Sequence, residues 1–295
     1  MTNLASRAAG AISELALRGV HHTARPTWKL EQTVHFYRDL LGLPLVHAIS
    51  ARGWGPADHA DFLHFFFDSG NGSTIAFFYY IGTERPAHLV PSDHYQDRAT
   101  HTAWQVANLE ELMAWRARVE QAGIELRYQV RHEVIESIYF NDPNGYPIEI
   151  TYQTRPFVQS DADDATRTVA AAVELERCTA RGAAFASIDA VWQRKGAALR
   201  EVSGAGGTEP AAATMFVLDV PEFQALAEVA ARRGYRVGPA HGDYLRIDGT
   251  PSLEFKRREL GFKPAVWYGA LTGGLVGRIT TFDAETLLIA PSEAV

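Results

Sequence analysis

One segment of this chain occurs twice, and that constrains its fold more than any other feature. His22-Thr23-Ala24 is followed, after four residues, by Lys29-Leu30-Glu31-Gln32, and His101-Thr102-Ala103 is followed, after four residues, by Asn108-Leu109-Glu110-Glu111. The two segments align without a gap at an offset of 79 residues. A helical pattern follows each, Leu30, Val34, Phe36, Tyr37, Leu40 and Leu41 in the first copy and Leu109, Leu112, Met113, Trp115 and Val119 in the second, closed by Gly42 and Gly123. Three short β-like runs come next in each copy: Leu43–Ile49, Leu63–Asp68 and Ser73–Tyr80, then Ile124–Val130, Ser137–Asn141 and Pro147–Tyr152. The last two runs of each copy are joined by Asp68-Ser-Gly-Asn-Gly72 and by Asp142-Pro-Asn-Gly145, where Asn and Gly readily supply positive φ. The unit is βαβββ, present twice. The expected fold is therefore α+β, with the paired units forming a curved mixed sheet of eight strands whose concave face holds a small ligand.

The expected boundaries are residues 1–157 for this metal-binding domain and 165–295 for a second α+β domain. Ser160-Asp-Ala-Asp-Asp164 reads as a solvated linker between them, and Thr166–Arg200 is Ala-rich with a helical pattern. Met215–Val220 reads as a strand, Pro221–Arg233 as a helix, and Tyr244–Ile247 and Ser252–Lys256 as strands. Tyr244 stands ten residues before Glu254, as Tyr139 stands ten before Glu149, so this half reads as a degenerate βαβββ domain without a metal site.

Charge and composition exclude several functions. Lys and Arg number 28 against 35 Asp and Glu, a net charge of −7, so no basic field exists to attract nucleic acid. A single cysteine, Cys178, excludes an internal disulfide and a thiolate metal site and fits a reducing cytoplasm. No run approaches the roughly 20 apolar residues of a membrane helix, and Glu14 and Arg18 interrupt any signal-peptide core, so a soluble protein is expected.

If the copies superimpose, His22 and His101 occupy equivalent places on adjacent central strands and their imidazoles converge. Glu149 lies between Ile148 and Ile150, so its carboxylate points to the face opposite both, where it is costly without a cation. A metal bound by His22, His101 and Glu149 supplies that cation. Sliding Gly72 onto Gly145 places Ala76 opposite Glu149, so no fourth ligand is available. Two histidines and one carboxylate leave open coordination positions, which suits non-haem Fe(II) acting on oxygen, although the same set can hold catalytic zinc.

These residues resemble the vicinal oxygen chelate superfamily, which includes glyoxalases, extradiol ring-cleaving dioxygenases, fosfomycin-resistance enzymes and bleomycin-binding proteins. The resemblance spans roughly Leu17 to Gln153. It rests on Val20-His21-His22-Thr23, on Phe36-Tyr37-Arg38-Asp39-Leu40-Leu41-Gly42-Leu43, on His101-Thr102-Ala103 and on the run from Ser137 to Glu149. It implies extradiol-type metal ligands at His22, His101 and Glu149, and a substrate-binding tyrosine at Tyr139. The extradiol acid/base histidine falls at about Ser73 or Thr74, so His132 and His94 are the expected replacement acid/base groups. Phe65, Phe67, Phe77, Tyr79 and Trp104 are expected to divide between the core and an aromatic wall of the cup.

The first expectation is a cytoplasmic Fe(II)-dependent dioxygenase of extradiol type, with a catechol-like or phenolic small molecule and dioxygen as substrates. Two alternatives stand beside it. One is a glyoxalase-like lyase, isomerase or hydrolase using Zn(II), Mn(II) or Ni(II) without oxygen; the other is a non-catalytic module binding an aromatic compound or antibiotic. For the C-terminal half, capping the cup, forming a homodimer and enlarging the folded unit are equally open.

Overall fold

The computed structural model describes residues 17, 19–53, 59–90, 95, 99–178, 187–203 and 212–292. The chain divides into two compact units, one made from the described residues of Ala5–Val130 with Ile135–Thr154, the other from those of Arg155–Val295 with Arg131–Val134. No helix among the described residues is long and apolar enough to cross a membrane. The signal-peptide question falls on residues outside the described ones.

In the first unit, copy one runs β1 (His22–Thr27), α1 (Leu30–Val34), a π-helical continuation (His35–Leu40), β2 (Leu45–Ala51), β3 (Phe62–Gly70) and β4 (Ser73–Tyr80). Copy two runs β5 (Thr102–Val106), α2 (Leu109–Gln121), β6 (Tyr128–Arg131), β7 (Ile135–Asn141) and β8 (Pro147–Gln153). Both copies are βαβββ with the same strand order, β1-β4-β3-β2 and β5-β8-β7-β6, and their backbone hydrogen bonds form two sheets of four rather than one of eight. The first strand of each copy is parallel to the last, while β2 with β3, β3 with β4 and β7 with β8 are antiparallel. Helix α2 is opened by a reciprocal cap, in which the Asn108 side chain accepts from the Glu111 N–H and the Glu111 carboxylate accepts from the Ala107 N–H. Gly42 and Gly123, at φ +73° and +75°, end the two helices in the left-handed region that glycine adopts without strain.

The helix-facing side of both sheets forms one core, with Phe36, Tyr37, Phe65, Phe67, Phe77, Leu112, Ile138, Phe140, Ile148 and Ile150 buried. Phe65, Phe67 and Phe77 therefore belong to the core, and Tyr79 and Trp104 pack against it. The aromatic wall expected from these five faces the wrong way, because strand alternation sends every second residue of β3 and β4 under the helices. A buried polar network then ties copy one to the turn of copy two. Thr27 donates to Asn144 Oδ1 at 2.8 Å, Asn144 Nδ2 donates to Thr33 Oγ1 at 3.1 Å, and Tyr37 donates to Asp142 at 3.0 Å. Tyr146 donates to the Pro26 carbonyl at 2.9 Å, and Arg25 reaches Thr102.

The second unit contains α3 (Gln159–Cys178), α4 (Ile188–Val202), β9 (Ala213–Leu218), α5 (Gln224–Arg232), β10 (Arg236–Pro239), β11 (Tyr244–Gly249), β12 (Leu253–Lys256), β13 (Leu275–Val276), β14 (Arg278–Phe282) and β15 (Thr286–Ala290). The expected linker at 160–164 is instead the start of α3. Acidic residues there favour a helix N-terminus, and Asp161 accepts from the Val158 N–H while pairing with Arg155. Asp164 is buried and takes bonds from Lys195 and Tyr244. This unit is α+β, but its pairing departs from βαβββ. β9 is antiparallel to β11 in the sheet β10-β11-β9-β13, and β12 joins a separate sheet, β12-β15-β14. Tyr244 accordingly lies beside Leu218 and Glu254 beside Leu288, so the ten-residue spacing shared with Tyr139 and Glu149 does not form the same hairpin.

The inter-copy network yields a stability prediction. Asn144→Ala removes its buried bonds to Thr27, Thr33 and Asp142 while the two hydroxyls keep each other, and should cost about 1–3 kcal/mol, read as a lower urea midpoint. A loss under about 0.5 kcal/mol would show that the network does not join the copies.

Candidate functional site

Register decides which side chains share a face. In copy two, Glu149 lies between Ala103 of β5 and Tyr139 of β7. Side chains directly opposite each other point the same way, and His101 precedes Ala103 by two residues, so His101, Tyr139 and Glu149 share the face opposite the helix. In copy one, Ala76 lies between Ala24 and Phe66. Ala76 is thus the counterpart of Glu149, as the turn alignment predicts, Phe66 is the counterpart of Tyr139, and His22 that of His101.

Glu149 is only 3% exposed. Its Oε2 lies 2.9 Å from His101 Nε2, and among the described residues its Oε1 has no hydrogen-bond partner. The other ring nitrogen of His101, Nδ1, is 3.1 Å from the Ala99 carbonyl. A carbonyl only accepts, so Nδ1 carries the proton, and in a neutral ring Nε2 presents a lone pair. An imidazole lone pair and a carboxylate then face each other, which is repulsive unless a proton or a metal ion lies between them. A carbonyl bonded to the far nitrogen is also the usual way a metal-ligating histidine is oriented. The donor chemistry of this pair fits a divalent metal.

Tyr139 packs edge-on to His101 at 6.1 Å and against Tyr128 at 4.6 Å. Burial, followed by the hydrogen bond and charge of Glu149, pushes its phenol well above the usual range. Tyr139 therefore stays protonated and can donate.

His22 does not join the pair. It opens β1 beside Thr74, with Nδ1 2.9 Å from His21 Nδ1 and its ring 5.9 Å from Phe66. Among the described residues no three His, Cys, Asp or Glu side chains are close enough together to hold one ion. The expected convergence is thus seen for His101 and Glu149 and not for His22. The repeat places His22 on the matching strand and face, but it does not set a side-chain torsion, and a second histidine next to it competes for the ring. His132 lies in Arg131–Val134, which groups with the second unit. His94 lies outside the described residues.

The open face of the first sheet carries a second group of rings and imidazoles, none of them among the expected site residues. Phe66, Phe78, His64 and His47 lie there, with His64 paired to Phe78 and His47 to Phe66. Counting in twos from Ala76 and Phe66 would have found them.

Residues 19–150 match the family model described as Glyoxalase/Bleomycin resistance protein/Dioxygenase superfamily. Solved structures similar to the chain include a glyoxalase/dioxygenase from Nostoc punctiforme, with 22% identity over 50% of this chain and 100% of that one and a TM-score of 0.37. A lactoylglutathione lyase from Agrobacterium tumefaciens has 20% identity over 46% of this chain and 94% of its own, with a TM-score of 0.32. A mutant of the fosfomycin resistance protein FosX from Listeria monocytogenes, complexed with Mn(II) and 1S,2S-dihydroxypropylphosphonic acid, has 17% identity over 48% and 96%, with a TM-score of 0.34. No curated protein matches the chain.

In chelator-treated protein, Glu149→Gln should lower stability by no more than about 1 kcal/mol, because an amide N–H can face the His101 lone pair and no charge stays buried. A loss above about 3 kcal/mol in thermal unfolding would instead identify a structural imidazolium–carboxylate pair.

Proposed function

We propose that residues 19–150, a domain of the glyoxalase, bleomycin resistance protein and dioxygenase superfamily, are the site of an Fe(II)-dependent dioxygenase of extradiol type acting on a catechol-like or phenolic molecule. The observation behind this reading is the pair of groups able to ligate a metal, His101 Nε2 and the Glu149 carboxylate, 2.9 Å apart with one buried carboxylate oxygen left unpartnered among the described residues. His101 and Glu149 would hold the metal, with His22 as third ligand from the equivalent strand position. Fe(II), when bound, supplies Lewis acidity toward adjacent substrate oxygens and reducing power toward dioxygen.

The chain's own residues do the rest. Tyr139 donates a hydrogen bond to a substrate oxygen from a phenol that burial keeps protonated. Phe66 and Phe78, on the open face of the first sheet, offer flat apolar surface to an aromatic ring. His132 and His94 are the proposed proton carriers, and holding both reactants at one place is where most of the rate would arise.

A second reading, a non-catalytic binding module, is favoured by a single observation: only two of the three expected donors are gathered. Metal and oxygen dependence separate the readings. Protein reconstituted anaerobically with Fe(II) should consume oxygen with catechols or aminophenols, and Glu149→Ala and His101→Ala should each lose at least about 100-fold in rate. His22→Ala should weaken metal binding as well. Metal at about 100 times its Kd should stabilise the wild type by about 2.7 kcal/mol. Turnover with Zn(II), Mn(II) or Ni(II) in the absence of oxygen would replace dioxygenase by lyase, isomerase or hydrolase chemistry. No oxygen uptake and no metal-dependent Tm would leave the binding module.

A further inference from the structure

We infer that His64 is a specificity-determining residue: its Nε2 accepts a hydrogen bond from a hydroxyl group of a planar aromatic ligand on the open face of the first sheet. The inference rests on the proposed reading of that face as a ligand surface, and it does not depend on the metal.

Strand alternation puts His64 on the sheet face opposite the helix. It is 8% exposed, in the middle of β3, between the core residues Leu63 and Phe65. Its cross-strand partner is Phe78, and Phe66, two residues on, is opposite Ala76. The imidazole therefore lies on the face that carries Ala76, not on the helix side.

Three contacts fix the ring. Nδ1 is 3.1 Å from the Phe77 carbonyl, which can only accept, so Nδ1 carries the hydrogen. The ring stacks on Phe78 with centroids 3.6 Å apart and planes 8° from parallel, and Phe66 lies at 4.2 Å. Burial first, and then the neighbouring His22 and His47, push its pKa down, so the ring is neutral near pH 7. These two histidines are the titratable groups that face it, His22 from β1 and His47 from β2. Nε2 is therefore a fixed lone pair, and among the described residues it has no hydrogen-bond partner.

Nε2 is not sealed from solvent, so it reaches the open face, where a ligand hydroxyl can take the place of water. The partner this lone pair selects is a donor. It must also tolerate the apolar, planar surroundings of Phe66 and Phe78, which an aromatic hydroxyl does and a hydrated cation does not. The preference this produces is steep, because an analogue without the hydroxyl leaves Nε2 unpaired under its own ring.

The test uses the full chain in excess chelator, with catechol and 1,2-dimethoxybenzene as probes and calorimetry as the readout. The wild type should bind catechol at least about tenfold more tightly than the dimethyl ether, the ratio that one hydrogen bond supplies. His64→Phe retains a flat ring against Phe78 and should reduce the ratio below about threefold while leaving ether affinity unchanged. His64→Gln, whose amide oxygen accepts, should restore part of it. In the wild type, ¹⁵N NMR should show the Nδ1–H tautomer and a shift of the His64 Nε2 resonance on adding catechol, a reading that needs no folded variant. An unchanged ratio in His64→Phe, the opposite tautomer, an unmoved Nε2 resonance or no catechol binding in chelator would each overturn the inference. Because metal is absent throughout, failure of the dioxygenase reading in oxygen-uptake assays leaves this result intact, and the reverse also holds.

Discussion

A carboxylate sealed between two isoleucines on a central strand needs a positive partner, and the arrangement around Glu149 follows from that need. Ile148 and Ile150 bury the neighbouring positions under the helix, so strand geometry sends Glu149 to the other face. There Ala103 leaves space on one side, and Tyr139 supplies a donor that stays protonated on the other. His101 completes the pair with a nitrogen whose proton is committed elsewhere, to the Ala99 carbonyl. A ring nitrogen and a carboxylate aimed at one point are held there by a proton or a metal ion between them, and the two groups are suited to holding a cation.

Duplication then sets what the opposite wall offers. At the counterpart of Glu149 stands Ala76, and at the counterpart of Tyr139 stands Phe66. The first sheet therefore carries rings and imidazoles where the second carries a charged centre. The two copies are joined through Asp142 and Asn144, whose buried bonds to Tyr37, Thr27 and Thr33 link the copy-two turn to copy one. That turn immediately precedes β8, so the network also anchors the strand that carries Glu149.

Much of this was legible in the residues because it depends on periodicity. The 79-residue offset, the Gly ends of both helices and the alignment of Ala76 with Glu149 all reflect backbone pattern, which repeats copy faithfully. What periodicity does not carry is less readable. A side-chain torsion at His22 depends on its neighbour His21, and which face Phe65 or Phe66 takes depends on a register one residue either way. The second unit escaped for a related reason. Its Tyr244 and Glu254 keep a familiar spacing, but β11 and β12 pair with different strands, so equal distance along the chain does not become adjacency in space. The acidic run at 160–164 resembled a linker by composition, yet Asp164 is buried against Lys195, a partner 31 residues away that local composition does not reveal.

The most direct measurement is elemental analysis of protein purified without chelators, wild type beside Glu149→Ala. A metal centre at this pair predicts close to one divalent transition-metal ion per chain in the wild type and almost none in the variant. Wild-type protein without metal after equilibration with Fe(II), or a variant that keeps as much metal as the wild type, would contradict it.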